Sequence, residues 1–160
     1  MDISEKEDSI QLITFRVGQE LFGIDIFSIR EIVRDPEIEP LDKGPAFVDG
    51  VMQIRGETIP VIDLKRRMKD SQKISPDTHP WVMINHNDSY IAGFLVDEVS
   101  RILKIQSDSI MTAPDLVLEG LRRPYIRGVC ESGAGMLVVL DFNELFSADE
   151  MAELKQTGAR

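Results

Sequence analysis

Ile54-Arg55-Gly56-Glu57-Thr58-Ile59-Pro60-Val61-Ile62-Asp63-Leu64 is the stretch that decides how this chain folds. An apolar run reaches Arg55-Gly56, restarts at Ile59 and stops on Asp63, which reads as a strand, a tight hairpin, a second strand and the start of a helix. Asp63 is placed to cap that helix, Leu64 to Met68. Arg55 sets a permanent charge beside the turn, in a form suited to bidentate pairing with a carboxylate. Pro60 has no N–H to give a ladder, so its strand is expected at a sheet edge, a strand start or a bulge, with backbone open to a partner.

Outward from that stretch, the same grammar repeats. Leu12 to Val17 is rich in β-branched and aromatic residues and ends at Gly18, and Leu21 to Ile26 completes a hairpin. Residues 26 to 33 read as a strand ending in a helical turn. Pro36, Pro40, Gly44 and Pro45 make 34–46 a loop, and Phe47 to Ile54 leads back into the opening motif. After a polar linker over 69–80 come strands at 81–84, 90–96 with a continuation to 105, 125–130 and 136–141, then a helix from Phe142.

Laying 47–68 over 125–146 without a gap sets Gly50 on Gly128, Val51 on Val129, Val61 on Val139 and Asp63 on Asp141. A second match, offset differently, sets Gly23 on Gly93, Ile26 on Val96, Ile29 on Val99 and Ile32 on Ile102. The chain therefore reads as an internal duplication of a strand-rich unit. Four or five short strands per copy remove most of their edges by curling into a small barrel, so the expectation is a mainly β protein of two barrels with a shared core. The expected layout is a mobile N-terminus over 1–10, a domain over 11–146 divided into lobes at about 11–70 and 80–146, and a short, weakly held helix with a frayed end over 147–160.

A chain of 160 residues can bury roughly two thirds of its unfolded surface and needs no staples. Cys130 is the single cysteine, so no internal disulfide forms, and a reducing, cytosolic setting is the default. The N-terminus lacks the pattern of a secretion signal, and no apolar run is long enough to span a bilayer. A net charge of −10 opposes nucleic-acid and anionic-membrane binding by bulk attraction.

Catalytic constellations fare poorly. Asp63 and Asp141 could form an acid/base dyad with one carboxylate from each half, but bulky Leu64 and Phe142 follow them, and capping explains both. His79 and His86 have no companion ligands, Cys130 sits in an apolar strand as a buried thiol, and Gly133-Ala134-Gly135 lacks the Lys-Ser/Thr of a phosphate loop. No metal, cofactor or enzymatic activity is expected, which leaves a binding or scaffolding module. Positions that differ between the copies point to its surface: Arg55 against Gly133, Pro60 against Val138, Asp25 against Leu95, Glu31 against Arg101.

Phe22-Gly23-Ile24-Asp25-Ile26, Arg30-Glu31-Ile32, Phe47-Val48-Asp49-Gly50-Val51, Ile54-Arg55-Gly56, Ile59-Pro60-Val61-Ile62-Asp63-Leu64 and Val96-Asp97-Glu98-Val99 together resemble the CheW family of chemotaxis adaptors over about 12–146. The resemblance implies two packed five-stranded SH3-like barrels. It also implies a cytoplasmic adaptor, recruited to receptor arrays, whose partners are the helical hairpin at a chemoreceptor's cytoplasmic tip and the regulatory domain of a CheA-type histidine kinase, with self-association in array rings. Family contact positions fall on Ile29, Glu31, Gly50, Arg55 and Gly56, to which the asymmetry adds Pro60 as partner-binding. Glu31 and Arg55 are also expected to pair across the lobe.

Overall fold

The computed structural model describes residues 9–69, 74, 79–88, 90–112, 125–133 and 135–158. Among them are ten strands: β1 (Ser9–Val17), β2 (Glu20–Asp25), β3 (Ile29–Arg34), β4 (Gly50–Ile54), β5 (Glu57–Asp63), β6 (Trp81–His86), β7 (Ile91–Val96), β8 (Glu98–Gln106), β9 (Ile126–Ser132) and β10 (Gly135–Leu140). The described residues also form the α-helices α1 (Leu64–Lys69) and α2 (Ala148–Gly158), with single 3-10 turns at Ile26–Ser28, Ser107–Ser109 and Phe142–Glu144. The protein is mainly β, as two five-stranded SH3-like subdomains. The N-terminal tail through residue 8, most of the 69–80 linker and the 113–124 loop lie outside the described residues.

The sheets have the orders β8-β1-β2-β10-β9 and β3-β6-β7-β5-β4. If β1 to β5 are overlaid on β6 to β10, each order becomes the other, so the fold is the duplication read from the sequence. The registers agree residue by residue. Gly50 lies opposite Val61 and Gly128 opposite Val139, while the parallel pairings set Val61 on Gly93 and Val139 on Gly23.

The expected division into lobes 11–70 and 80–146 needs correcting at this point, because neither barrel is contiguous. The first barrel takes β1 and β2 from the front half and β8, β9 and β10 from the back; the second takes β3, β4 and β5 from the front and β6 and β7 from the back. The cause lies at Asp25. Its side chain accepts a hydrogen bond from Phe27 N–H at 2.9 Å, winding Ile26–Ser28 into a 3-10 turn that carries the chain into the other sheet. The helical turn expected within 26–33 thus comes first, and a full strand follows it.

Each sheet closes through one isolated bridge. Glu39 and Val51 exchange N–H···O bonds of 2.8 and 2.9 Å in the second barrel, and Met111 and Val129 exchange two of 2.8 Å in the first. A Cβ on Gly50 would lie 2.5 Å from the Glu39 carbonyl oxygen, and one on Gly128 2.6 Å from that of Met111, so glycine at both sites is what lets the closing segment approach.

Pro60 also departs from expectation. It is buried, in a strand hydrogen-bonded on both sides rather than at an edge. Val51, directly opposite, turns both of its backbone groups to Glu39, so Val51 and Pro60 form a non-hydrogen-bonded pair and no N–H is asked of position 60 there. The parallel ladder to β7 begins one residue later, at Val61. No open backbone results.

The main core belongs to both barrels. Phe15 and Phe22 from one, Phe94, Ile62 and Met83 from the other, and Phe142 between them form one buried cluster. The Phe142 ring centroid sits 4.2 Å from that of Phe94 and 6.5 Å from that of Phe15. The C-terminal helix is held more firmly than its composition suggests. Leu154 is fully buried, and Arg67 accepts no freedom: it stacks over Phe47 and Phe146 and forks onto Glu150 at 2.6 and 2.9 Å.

Candidate functional site

The β4–β5 hairpin turns through two consecutive left-handed residues, Arg55 at φ 50° and Gly56 at φ 82°, the signature of a type I′ turn. Glycine suits both central positions, and arginine at the first is a strained choice of a kind found where a side chain is wanted for its own sake. The strained residue is tied down. Arg55 Nη1 donates to Glu31 Oε1 at 2.6 Å and Nη2 to Oε2 at 3.2 Å, across the barrel mouth from turn to β3. A second pair runs alongside, Arg30 Nη2 to Glu57 Oε1 at 3.0 Å.

Adjacent residues of β3 can both reach the same hairpin because of a β-bulge. The register against β6 shifts between Ile29 and Glu31, leaving Arg30 unpaired and re-aiming its neighbour. The Arg55 side chain is 70 % exposed and Glu31 26 %, so the bond fixes a guanidinium at the surface instead of burying it. An exposed pair of this kind contributes little to stability, roughly 0–1 kcal/mol. Its weight lies in orientation.

Of the six residues expected to contact partners, Glu31, Arg55 and Gly56 come together here. Ile29 opens the same strand but leans half-buried against the shared core. Gly50 is buried at the far end of β4, supporting barrel closure, and Pro60 is buried in β5. Both lie in the frame beneath the surface that Glu31, Arg55 and Gly56 form.

One exposed residue escaped the sequence reading. Phe27, in the 3-10 turn that carries the chain between barrels, is 92 % exposed, an unusual position for so large an apolar group. It is held there from two sides, by the Asp25 cap and by Asn85 Nδ2 donating to the Ser28 carbonyl at 2.7 Å. Its counterpart in the second copy is Asp97, so the comparison that singled out Arg55 would have found it as well.

The acidic pair does not form a dyad. Asp63 caps α1 by accepting from Arg66 N–H at 3.2 Å and ties down Ile74 by accepting its N–H at 2.8 Å, and Asp141 caps the Phe142–Glu144 turn by accepting from Asn143 N–H at 2.9 Å. Burial pushes the Asp63 carboxyl above its ordinary value against those backbone bonds. Cys130 is buried and its thiol is pushed up by burial, the opposite of an activated nucleophile. Among the described residues no group of three or more His, Cys, Asp or Glu is arranged to hold a metal, and no helix is long and apolar enough to cross a membrane.

Residues 11–150 match the family model described as a CheW-like domain. The chain belongs to the CheW family. The CheW family likeness extends to curated proteins: chemotaxis protein CheW of Treponema pallidum is 34 % identical over 152 residues, covering 92 % of this chain and 88 % of that one. Chemotaxis protein CheW of Klebsiella aerogenes is 31 % identical over 142 residues, covering 89 % and 84 %. Among solved structures, the scaffolding protein TtCheW of Thermoanaerobacter tengcongensis superposes with a TM-score of 0.74 at 29 % identity, covering 86 % of this chain and 88 % of that one. Kinship and fold together make this a CheW-type scaffold protein of chemotaxis.

Proposed function

We propose that the protein is a non-enzymatic adaptor that couples the cytoplasmic helical hairpin of a chemoreceptor to the regulatory domain of a CheA-type histidine kinase. The observation that carries this reading is Arg55: a bulky charged residue in a left-handed turn position, where the other copy has glycine, clamped by Glu31 so that it faces outward. A fold gains nothing from that choice, whereas a partner surface gains a charge of fixed direction, which sets register and specificity more than raw affinity. Phe27 adds an apolar anchor of the type that dominates interface energetics. Its cytoplasmic placement at receptor arrays, and self-association into rings, belong to the same reading.

Pull-down of the full chain with a receptor cytoplasmic fragment and a CheA-type kinase tests this directly. A ternary complex is expected, with Phe27→Ala and Arg55→Ala each reducing recovery of one partner. Absence of association with either partner, singly or together, would overturn the adaptor role.

A further inference from the structure

The two barrels have equivalent mouths that are finished in opposite ways. In the second barrel the mouth is apolar and spanned by ion pairs: Val33, Ile54, Ile84 and Ile91 belong to one cluster, and Glu31 pairs with Arg55 and Arg30 with Glu57 beside it. The duplication puts Leu103, Ser132, Thr14 and Leu21 at the corresponding places in the first barrel, with Arg101 where Glu31 stands and Ser100 where Arg30 stands. There the mouth is an open cavity of about 270 Å³, with Arg16, Ser100, Arg101 and Ser132 at its rim.

No carboxylate among the described residues lies within ion-pair distance of Arg16 or Arg101. The turn that would have to supply a partner carries Gly133, and a Cβ there would sit only 3.8 Å from Arg101 Nη2. The backbone that carries Arg101 is nonetheless firmly held. The β-bulge of β3 recurs between β1 and β8, and Thr14 Oγ1 both donates to the Arg101 carbonyl at 2.8 Å and accepts from the Arg101 N–H at 3.1 Å. Two like charges on one cavity wall repel, and they do so here in a molecule of net charge −10, where carboxylates are plentiful. Placement without a partner fits a site that awaits one.

We propose that the mouth of the first barrel binds one oxyanion group, a carboxylate or a phosphoryl group, between the guanidinium groups of Arg16 and Arg101 with the Ser100 hydroxyl as a further donor. Guanidinium forks match both anions bidentately, and the cavity has room for such a group and its water. Glu98 is the ladder partner of Arg16, beyond ion-pair distance, and its charge makes the site less positive at longer range. The site stands apart from the Arg55 surface and does not depend on the adaptor role.

Titration of the full chain at constant ionic strength, read by NMR at the arginine Nε–Hε and backbone amide signals, tests it with two probes: inorganic phosphate and acetate. Saturable shifts at Arg16, Ser100 and Arg101 are expected, with affinity falling by about tenfold or more in Arg101→Gln, since one charge-assisted fork is lost. Tighter phosphate binding assigns the site to phosphoryl groups; tighter acetate binding assigns it to the acidic side chain of a partner. Glu98→Gln, which leaves both arginines in place, tightens whichever anion binds. Shifts that never saturate, binding retained in both Arg16→Gln and Arg101→Gln, or a Glu98→Gln variant no tighter than wild type would overturn the proposal.

Discussion

Arg55 combines two local effects of opposite sign. Its φ of 50° favours glycine by about 1 kcal/mol, and its exposed bond to Glu31 returns at most a similar amount. Arg55→Gly is therefore expected to leave the melting temperature nearly unchanged while reducing receptor–kinase coupling, measured as kinase stimulation in reconstituted arrays; equal loss of folding would make the residue structural. Asp63 makes the converse case. Asn at this position keeps an oxygen for Arg66 N–H but turns an amide toward Ile74 N–H, so Asp63→Asn should cost about 1–3 kcal/mol in urea unfolding despite removing a charge from a buried site. The Glu31–Arg55 pair was legible in sequence because both residues break the internal repeat. Phe27 breaks the repeat too, against Asp97, but its exposure is hidden in sequence, since a phenylalanine inside Ile24 to Ile29 looks like core, and only the 3-10 turn set by Asp25 and Asn85 turns it outward.

At the scale of elements, hairpins were readable and their neighbours were not. Alternation and turn residues specify β1–β2, β4–β5 and β9–β10 locally, whereas the parallel contacts of β2 with β10 and of β5 with β7 join residues far apart in the chain and leave no local trace. Gly50 and Gly128 are the exception, because their identity reports a close backbone approach. Gly50→Ala and Gly128→Ala are each expected to destabilise by about 1–3 kcal/mol, read as a shift in unfolding midpoint. The C-terminal helix carries a pH signature. Burial raises the Glu150 carboxyl, but hydrogen bonds and charge from Arg67 outweigh it, with help from Ser147, so the net shift is downward. A carboxyl lowered on folding stabilises above its unfolded pKa and loses that contribution as pH falls through the folded one. Glu150→Gln should therefore be less stable than wild type at neutral pH, and the gap should close in acid below the ordinary value of 4.5. Asp63, raised on folding, works against stability as pH rises through its own window, so the two sites are separable by variant.

For the whole molecule, the exchange of strands makes each half dependent on the other. A fragment of residues 1–75 contains no complete sheet, and neither does 76–160. Each alone is expected to lack cooperative thermal unfolding by circular dichroism, while the two co-expressed should reassemble with the native transition; a stably folded single fragment would contradict the topology. The duplication itself was visible in sequence, but a contiguous pair of lobes and an exchanged pair predict the same residue correspondences. Only pairing distinguishes them.

The exchange has a consequence for what the molecule can recognise. One copy of the repeat standing as its own chain would build these two barrels only as a twofold pair, and symmetry would make both mouths identical: two clamps, or two open arginine sites. Carrying both copies on one chain frees each mouth to change without the other, giving the particle two unlike poles. A particle with unlike poles has a direction, and a string of them can have a beginning and an end.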